Sequence, residues 1–437
     1  MQTNIDWIGE IPVNWELKRG KYLFKFKKEI NKNLQSKNLL SLTLNGVLNK
    51  DFQSSEGLRP ESYRTYQIFE KDDLVFKMID LENIKTSRVG IVHEKGIMSP
   101  VYIRHEPCRN KIIPRFAFWI YFDLYKKNIY NNIGSGVRSS LTSSDLLDIK
   151  LPLPPLNEQN FIVEYLDKKT QQIDSLIEKI EKKIELLKEQ KTTLINQFLT
   201  KGLDKNVEMK DSGFEYIGKI PKHWNYLPLK YLTLSEDGIK TGPFGTQLNS
   251  KDYQENGVKV LSQKTLINED YSLGEEYISH EKFLALENFA LKSGDIIMGT
   301  RGSFGTKNRT TFGKCSIVPK SDEIFVLHPC LIRIRLIEKK ILKDYFLIFI
   351  NLSSIFLEHI KKTSKSTTIE VIYGVDLKEI KLPLPPIKEQ FEILKELNTK
   401  IKNLDNYNRK YIQKISLLKE YRQSLISSVV TGKKRVV

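Results

Sequence analysis

Residues 149–159 read IKLPLPPLNEQ, and 231 positions later residues 380–390 read IKLPLPPIKEQ. At that fixed offset the match runs on without a gap through Asp174 and Asp405, Leu187-Lys188-Glu189 and Leu418-Lys419-Glu420, to Leu194-Ile195 and Leu425-Ile426. A duplication of this kind organises the whole chain and is read before any single element. The double proline ends an extended segment, and no Gly or Pro follows until Gly202 in the first copy and Gly432 in the second. Proline just before a helix and glycine just beyond it are the expected punctuation.

Within the first copy Ile162, Leu166, Ile173, Ile177, Ile180, Ile184, Leu187, Leu194 and Phe198 recur at steps of four and three, with Lys169 and Lys191 interrupting. Ile393, Leu397, Leu404, Tyr411, Ile415, Leu418, Leu425 and Val429 repeat the register in the second. This is the seam of a coiled coil. Each helix is expected to be about 65 Å long and cannot bury its stripe alone. The other copy is the expected partner, paired antiparallel.

A second duplication precedes each half: WIGEIPVNW at residues 7–15 and YIGKIPKHW at residues 216–224. The chain therefore alternates alike frames with unlike inserts, since residues 25–148 and 234–379 show no obvious similarity. The expected boundaries are 1–148 for a first domain containing the frame segment 5–24, and 149–205 for a central helix. A second domain, 206–379, contains frame segment 214–233, and a last helix spans 380–437. The fold class is α+β, with two mixed globular domains separated by two long antiparallel helices in a pseudo-twofold repeat.

Bulk properties narrow the function. A chain of 437 residues, 40% hydrophobic, is long enough for two or three cores. The richest apolar stretch, Tyr345 to Leu357, is interrupted by Asn351, Ser353 and Ser354, so no membrane span is expected. The opening residues show no basic-then-apolar signal, which points to a cytoplasmic protein. Cys108, Cys315 and Cys330 are widely spaced and are expected to be buried free thiols, neither disulfide framework nor zinc site. The net charge of +17 favours a polyanionic partner, but unevenly. Residues 25–148 hold 20 basic against 14 acidic side chains, residues 234–379 hold 20 against 19, and residues 380–437 hold 13 against 5.

The signatures of an enzyme that itself methylates or cuts DNA are missing. Each Pro-Pro is followed by Leu156 or Ile387 and not by the aromatic residue of a base-holding loop. Gly134-Ser135-Gly136 lacks the third glycine of a nucleotide loop, and His93-Glu94 and His280-Glu281 lack a second histidine four residues from the first. A coiled-coil scaffold would keep the helices but would not need dissimilar inserts.

The paired LPLPPLNEQ and LPLPPIKEQ segments, each opening a long helix, and the paired IGEIPVNW and IGKIPKHW segments resemble the layout of type I restriction-modification specificity subunits. The resemblance spans nearly the whole chain and both halves, as in a full-length subunit. KTGPFGTQLNSKDY (240–253) and LKSGDIIMGTRGSFGT (291–306) are similar to that family's recognition domains. EKDDLVFKMIDLENIK (70–85), RVGIVHEKGIMSP (88–100) and SGVRSSLTSSDL (135–146) are less specific matches. The resemblance implies two target-recognition domains, each reading half of a bipartite site in double-stranded DNA, with the helices setting the spacer. It also implies two modification subunits and two restriction subunits docked on the helices. The N6-adenine methylation is the partner's, using S-adenosylmethionine, and this chain is expected to bind no cofactor and no metal and to catalyse nothing. Two readers on such a rod could contact patches between about one and two duplex turns apart.

Base edges are read by Arg, Lys, Asn and Gln, whereas phosphates need only positive or amide donors. In the second insert the candidates are Lys240, Thr241, Gly242, Phe244, Gly245 and Gln247 on one turn, and Arg301, Gly302, Ser303, Lys307 and Arg309 on another. A basic run, Lys361, Lys362 and Lys365, follows. In the first insert Arg59, Tyr63, Arg64 and Tyr66 interleave basic and aromatic groups, and Ser135, Gly136, Arg138 and Ser139 precede an expected helix. Trp15 and Trp224 are expected to be packing anchors. Glu158-Gln159 and Glu389-Gln390 are expected at helix starts or docking surfaces.

Overall fold

The computed structural model describes residues 1–50, 62–81, 86–133, 140–215, 217–268, 270–272, 276–302, 312–363 and 370–436. The chain divides into two compact units, one formed by Met1–Lys182 with Tyr411–Val437 and the other by Lys183–Lys410.

In the first unit the strands Phe24–Phe26, Ile103–Pro107, Leu74–Phe76 and Val89–Ile91 lie side by side in that order, all antiparallel. Leu74, Val75 and Phe76 are buried on both faces, as expected of a central strand covered by other elements. Pro114–Lys126, with proline in its first turn, covers the sheet through Phe116, Ile120 and Leu124. The strand Glu16–Arg19 pairs with Lys150–Leu153, so the first LPLPP segment is tied to residues just after Trp15.

The second unit repeats this plan. Ile239–Thr241, Leu331–Ile334, Ile296–Gly299 and Cys315–Ile317 form a four-stranded antiparallel sheet in the corresponding order. Asn225–Pro228 pairs with Lys381–Leu384 as Glu16–Arg19 pairs with Lys150–Leu153. The apolar stretch after Ile341 forms two helices, Lys343–Leu352 and Ser354–Thr363. Among the described residues, no helix is long and apolar enough to cross a membrane. Of the cysteines only Cys315 is buried; Cys108 and Cys330 are half-buried, because each lies in a chain turn and not on a core-facing strand.

The two inserts, unlike in sequence, match in their turns. Asp72 at φ 74° and Gly294 at φ 83° donate their amides to Val92 and Val318 at 2.8 and 2.9 Å. The neighbouring Asp73 and Asp295 accept from the backbone amides of Glu70 and Lys292 at 2.6 and 2.9 Å. One strand over, Arg104 and Arg333 are each 1% exposed and donate to the carbonyls of Ile68 and Ala290 at 2.6 and 2.8 Å. A buried guanidinium needs an anion, and Asp73 lies 2.5 Å from Arg104 while Asp237 pairs with Arg333. The common sheet is thus specified by a few turn and ion-pair positions, with the rest free to differ.

The long helices are Leu156–Lys201 and Ile387–Val430. In the first unit Asp174 meets Arg422 and Tyr165 meets Lys434; in the second Lys191 meets Asp405. The paired segments run antiparallel in both units, as the seam requires. Ile162, Leu166, Ile173, Ile177 and Ile180 are buried, whereas Ile184 and Leu187 are half-buried. Of the two expected interruptions, Lys191 lies on the seam. The other is Thr170 and not Lys169, because the register places Thr170 inward with its hydroxyl donated to the Leu166 carbonyl at 2.7 Å.

The glycine after each helix abuts the tryptophan of the repeated frame segment. Gly202 at φ 69° leaves only 3.0 Å between a would-be Cβ and the Trp224 ring. Gly432 at φ 73° faces Pro12 and Trp15 in the same manner. Trp15 and Trp224 are 3% and 0% exposed, which fits their reading as packing anchors.

Candidate nucleic-acid interface

In each frame one glutamine grips its domain by main-chain contacts. Gln159 is fully buried; it accepts from the Ile113 amide at 2.8 Å and donates to the carbonyls of Lys111 and Pro154 at 3.1 and 2.9 Å. Gln390 makes the corresponding bonds to the Leu342 amide and the carbonyls of Lys340 and Pro385 at 2.9, 3.0 and 2.9 Å. Ile113 and Leu342 each precede the helix that covers its sheet, so one amide satisfies an unpaired helix-start donor and clamps domain to frame. The neighbouring glutamates differ. Glu158 accepts from the indole of Trp15 at 2.9 Å, whereas Glu389 takes Nε2 of His223 at 2.8 Å.

In the second unit several candidates converge. The strand Ile239–Thr241 carries Lys240, whose ammonium lies 5.0 Å from the Phe289 ring centroid. Gly242 donates its amide to Leu331 at 2.9 Å, and a Cβ there would strike the His328 carbonyl. Thr300 bonds the Cys330 carbonyl through its amide at 3.0 Å and its hydroxyl at 2.9 Å. Arg301 and Gly302 stand on a short strand paired with Glu370–Val371, not on an irregular loop. Thr241, Gly242, Thr300 and Arg301 therefore meet at the turn His328–Leu331, and the Ile372 amide closes the group by donating to Thr300 at 2.9 Å.

The rest of this face is mixed. Phe244 is half exposed, Gly245 adopts φ 56°, and the Gln247 side chain accepts from the Phe244 amide at 3.2 Å, which fixes its orientation. Gln263, which the sequence did not single out, donates to the Arg301 carbonyl at 3.0 Å. Burial holds the His328 imidazole below its ordinary range; Glu276 opposes this and Arg301 adds to it. Lys361 and Lys362 lie at the end of the helix Ser354–Thr363. Ser303, Lys307, Arg309 and Lys365 lie outside the described residues.

In the first unit the candidates separate. Arg64 is exposed on a short turn capped by Ser62, which accepts the Arg64 amide at 3.2 Å. Tyr63 and Tyr66 stack edge to face at 5.1 Å and pack against Leu39, Ile68 and Ile97, so much of each ring serves the core. Arg59, Ser135, Gly136, Arg138 and Ser139 lie outside the described residues, while the helix expected after them is Ser143–Asp148, started by a Thr142–Asp145 capping box. Sheet register shows what the sequence reading missed. Phe26 pairs with His105 as Ile239 pairs with Ile334, so exposed Lys27 and Lys28 occupy the positions of Lys240 and Thr241. The basic run KFKK at residues 25–28 was the available signal. Among the described residues there is no cluster of His, Cys, Asp and Glu suited to a metal ion.

A family model, the type I restriction modification DNA specificity domain, matches residues 12–186 and again 245–417. The chain belongs to this family. It is a type I DNA specificity subunit: the first matched segment holds the whole of the first four-stranded sheet, and the second holds three strands of the other, beginning just after Ile239–Thr241. A Methanocaldococcus jannaschii protein provisionally named the type I restriction enzyme MjaX specificity subunit is 26% identical over 451 residues, spanning 98% of this chain and 96% of its own. The type I restriction enzyme MjaVIII specificity subunit of the same organism is 28% identical, spanning 78% of this chain and 75% of its own. Two solved structures share the fold at 15% identity. One, from work on complex assembly and conformational transition of the type I R-M system, has a TM-score of 0.72 over 97% of this chain and all of that one. The other, the HsdS subunit from Thermoanaerobacter tengcongensis, has a TM-score of 0.57 over 97% of this chain and 98% of that one.

Proposed function

We propose that this specificity subunit reads a split, asymmetric site in double-stranded DNA, one half with each sheet-based domain, and itself carries out no chemistry. The observation behind this reading is the pairing of like and unlike: one sheet topology and one glutamine clamp occur twice, while Lys27 and Lys28 stand where the other unit has Lys240 and Thr241. Equal frames with different side chains at equivalent edges suit two different base sequences.

The long helices carry two methylation subunits, which bind S-adenosylmethionine and modify adenine, and two restriction subunits. The assembly works in the cytoplasm, where its DNA is. The subunit needs no cofactor of its own because its part is recognition, achieved by hydrogen bonds and charge.

Co-expression with the methylation subunit, followed by single-molecule sequencing of the host DNA, tests this. A two-part methylated motif with a fixed gap, absent when this chain is omitted, is the expected result. Methylation at an unsplit site, or methylation indifferent to this chain, would overturn it.

A further inference from the structure

The two units hold their equivalent strand ends by different devices. Gly299 donates its amide to the Lys314 carbonyl at 3.0 Å, and Lys77 donates to the Arg88 carbonyl at the same distance, so Arg88 stands at the position of Lys314. Likewise the Leu141 amide bonds the Met78 carbonyl as the Ile372 amide bonds that of Thr300, which places Ile79 and Asp80 at the positions of Arg301 and Gly302. In the second unit Gln263 reaches the Arg301 carbonyl from a separate helix. In the first, Arg88 is turned inward, 2% exposed, and donates to the carbonyls of Lys77, Ile79 and Asp80 at 3.4, 3.2 and 2.5 Å.

An inward-facing arginine is costly to desolvate, and a run of backbone carbonyls is the arrangement that makes its retention intelligible. Its five donors form a fork of fixed geometry, so they set the path of the strand end they grip. Asp80 is held at φ 54°, a conformation that an unsupported aspartate seldom adopts. Lys77 reaches across the same turn to the Thr86 hydroxyl at 3.3 Å.

We infer that Arg88 is a positioning residue for DNA reading by the first domain, gripping the Lys77–Asp80 backbone so that Ile79 and Asp80, at the positions of Arg301 and Gly302, are presented to DNA in one register. This rests on the reading of the chain as a two-headed DNA reader. Arg88 acts through this backbone and does not touch DNA. Lysine, which supplies charge without the fork, does not substitute for it.

The test uses the full chain purified with its methylation subunit and two pools of duplexes, each with one half-site randomised. Arg88→Lys is expected to reduce discrimination by about tenfold at one or more base pairs of one half-site. That half is the one Arg301→Ala leaves alone, and the other keeps its wild-type preference. Unchanged preference in both halves overturns the inference. Should Arg88→Lys fail to fold, Asp80→Gly decides, because glycine accepts the φ of Asp80 and loosens the same strand end: a broadened first half-site supports the inference and an unchanged one overturns it. A wild-type complex with no preference in either half defeats the two-headed reader itself, a separate failure.

Discussion

Lys191 and Asp405 form a bidentate contact at 2.8 and 2.9 Å, and the residues 231 positions from each, Arg422 and Asp174, form the same ion pair in the other unit at 2.9 Å. Each pair joins the two long helices inside its own unit, and the duplication has exchanged which helix supplies the cation. Opposite charges at these seam positions favour the antiparallel register over a slipped one.

Reversing one charge therefore costs more than removing it. Asp405→Lys is expected to lower stability by about 1 kcal/mol or somewhat more, and Lys191→Asp combined with Asp405→Lys to recover most of the loss, since partly exposed pairs couple by up to about 1 kcal/mol. Denaturant unfolding of the four proteins of the cycle measures this. A loss in the double variant equal to the sum of the two single losses would mean the pair does not couple.

Gln159→Leu removes three bonds to main-chain groups at once and leaves the Ile113 amide and two carbonyls without it. The expected loss is about 3 kcal/mol, at about 1 kcal/mol or more for each unmet group. Gln159→Glu is expected to be worse, because a carboxylate then faces two carbonyl oxygens. Thermal melting of the first unit, followed by the fluorescence of Trp119, reads both variants.

Arg301→Ala is expected to weaken discrimination in the half-site read by the second domain by about 1–3 kcal/mol if it contacts a base, and to weaken all sequences evenly if it contacts phosphate. Arg64→Ala, at an exposed turn of the first unit, is expected to follow the second pattern and to flatten the salt dependence of binding. Titrations at several salt concentrations separate the two. No change in affinity for Arg301→Ala would remove it from the interface.

His105 makes the first unit acid-sensitive. Its ring packs between Phe24 and Phe76, its Nε2 meets Ser143 at 2.9 Å, and burial lowers its pKa to about 4 from an ordinary 6.5. The unfolded chain takes up a proton that the folded chain refuses, so this contribution is intact above pH 6.5 and is lost as pH falls toward 4. At pH 5 the loss is about 2 kcal/mol. His105→Gln should flatten that part of the stability–pH curve; an unchanged slope between pH 6.5 and 4.5 would assign the acid lability elsewhere.

Gly202→Ala forces a Cβ against Trp224 and Glu389 at a left-handed φ, with an expected cost of about 1–3 kcal/mol. The corresponding Gly432→Ala meets Pro12 and Trp15 and should cost at least as much, because its obstacle is a rigid ring. Chemical unfolding of each variant provides the comparison.

Much of the frame was legible in the sequence because helix seams, prolines and tryptophans act through local periodicity and bulk. The long helices end at the glycines that mark them, and the strands opening each LPLPP segment follow from the repeat. The common sheet of the two inserts was hidden. It depends on Asp73 and Asp295, Arg104 and Arg333, and a left-handed turn filled by Asp72 in one case and Gly294 in the other, too few positions to form a visible match. Lys27 and Lys28 were passed over for the same reason: only strand register reveals that they share an edge with Lys240 and Thr241. That Tyr63 and Tyr66 also pack on Leu39, Ile68 and Ile97 was not legible, because exposure is not written in residue type.

The glutamine clamps grip Ile113, Lys111 and Pro154, or Leu342, Lys340 and Pro385, through amide and carbonyl atoms that every such residue offers at that bend. These clamps thus hold the insert without inspecting its side chains, although Asp167 of the frame also engages the Arg115 and Trp119 side chains. A gene exchange that breaks within the LPLPP segments could deliver a foreign insert already compatible with the mount, so new targets could arise by shuffling whole readers without first re-evolving their attachment.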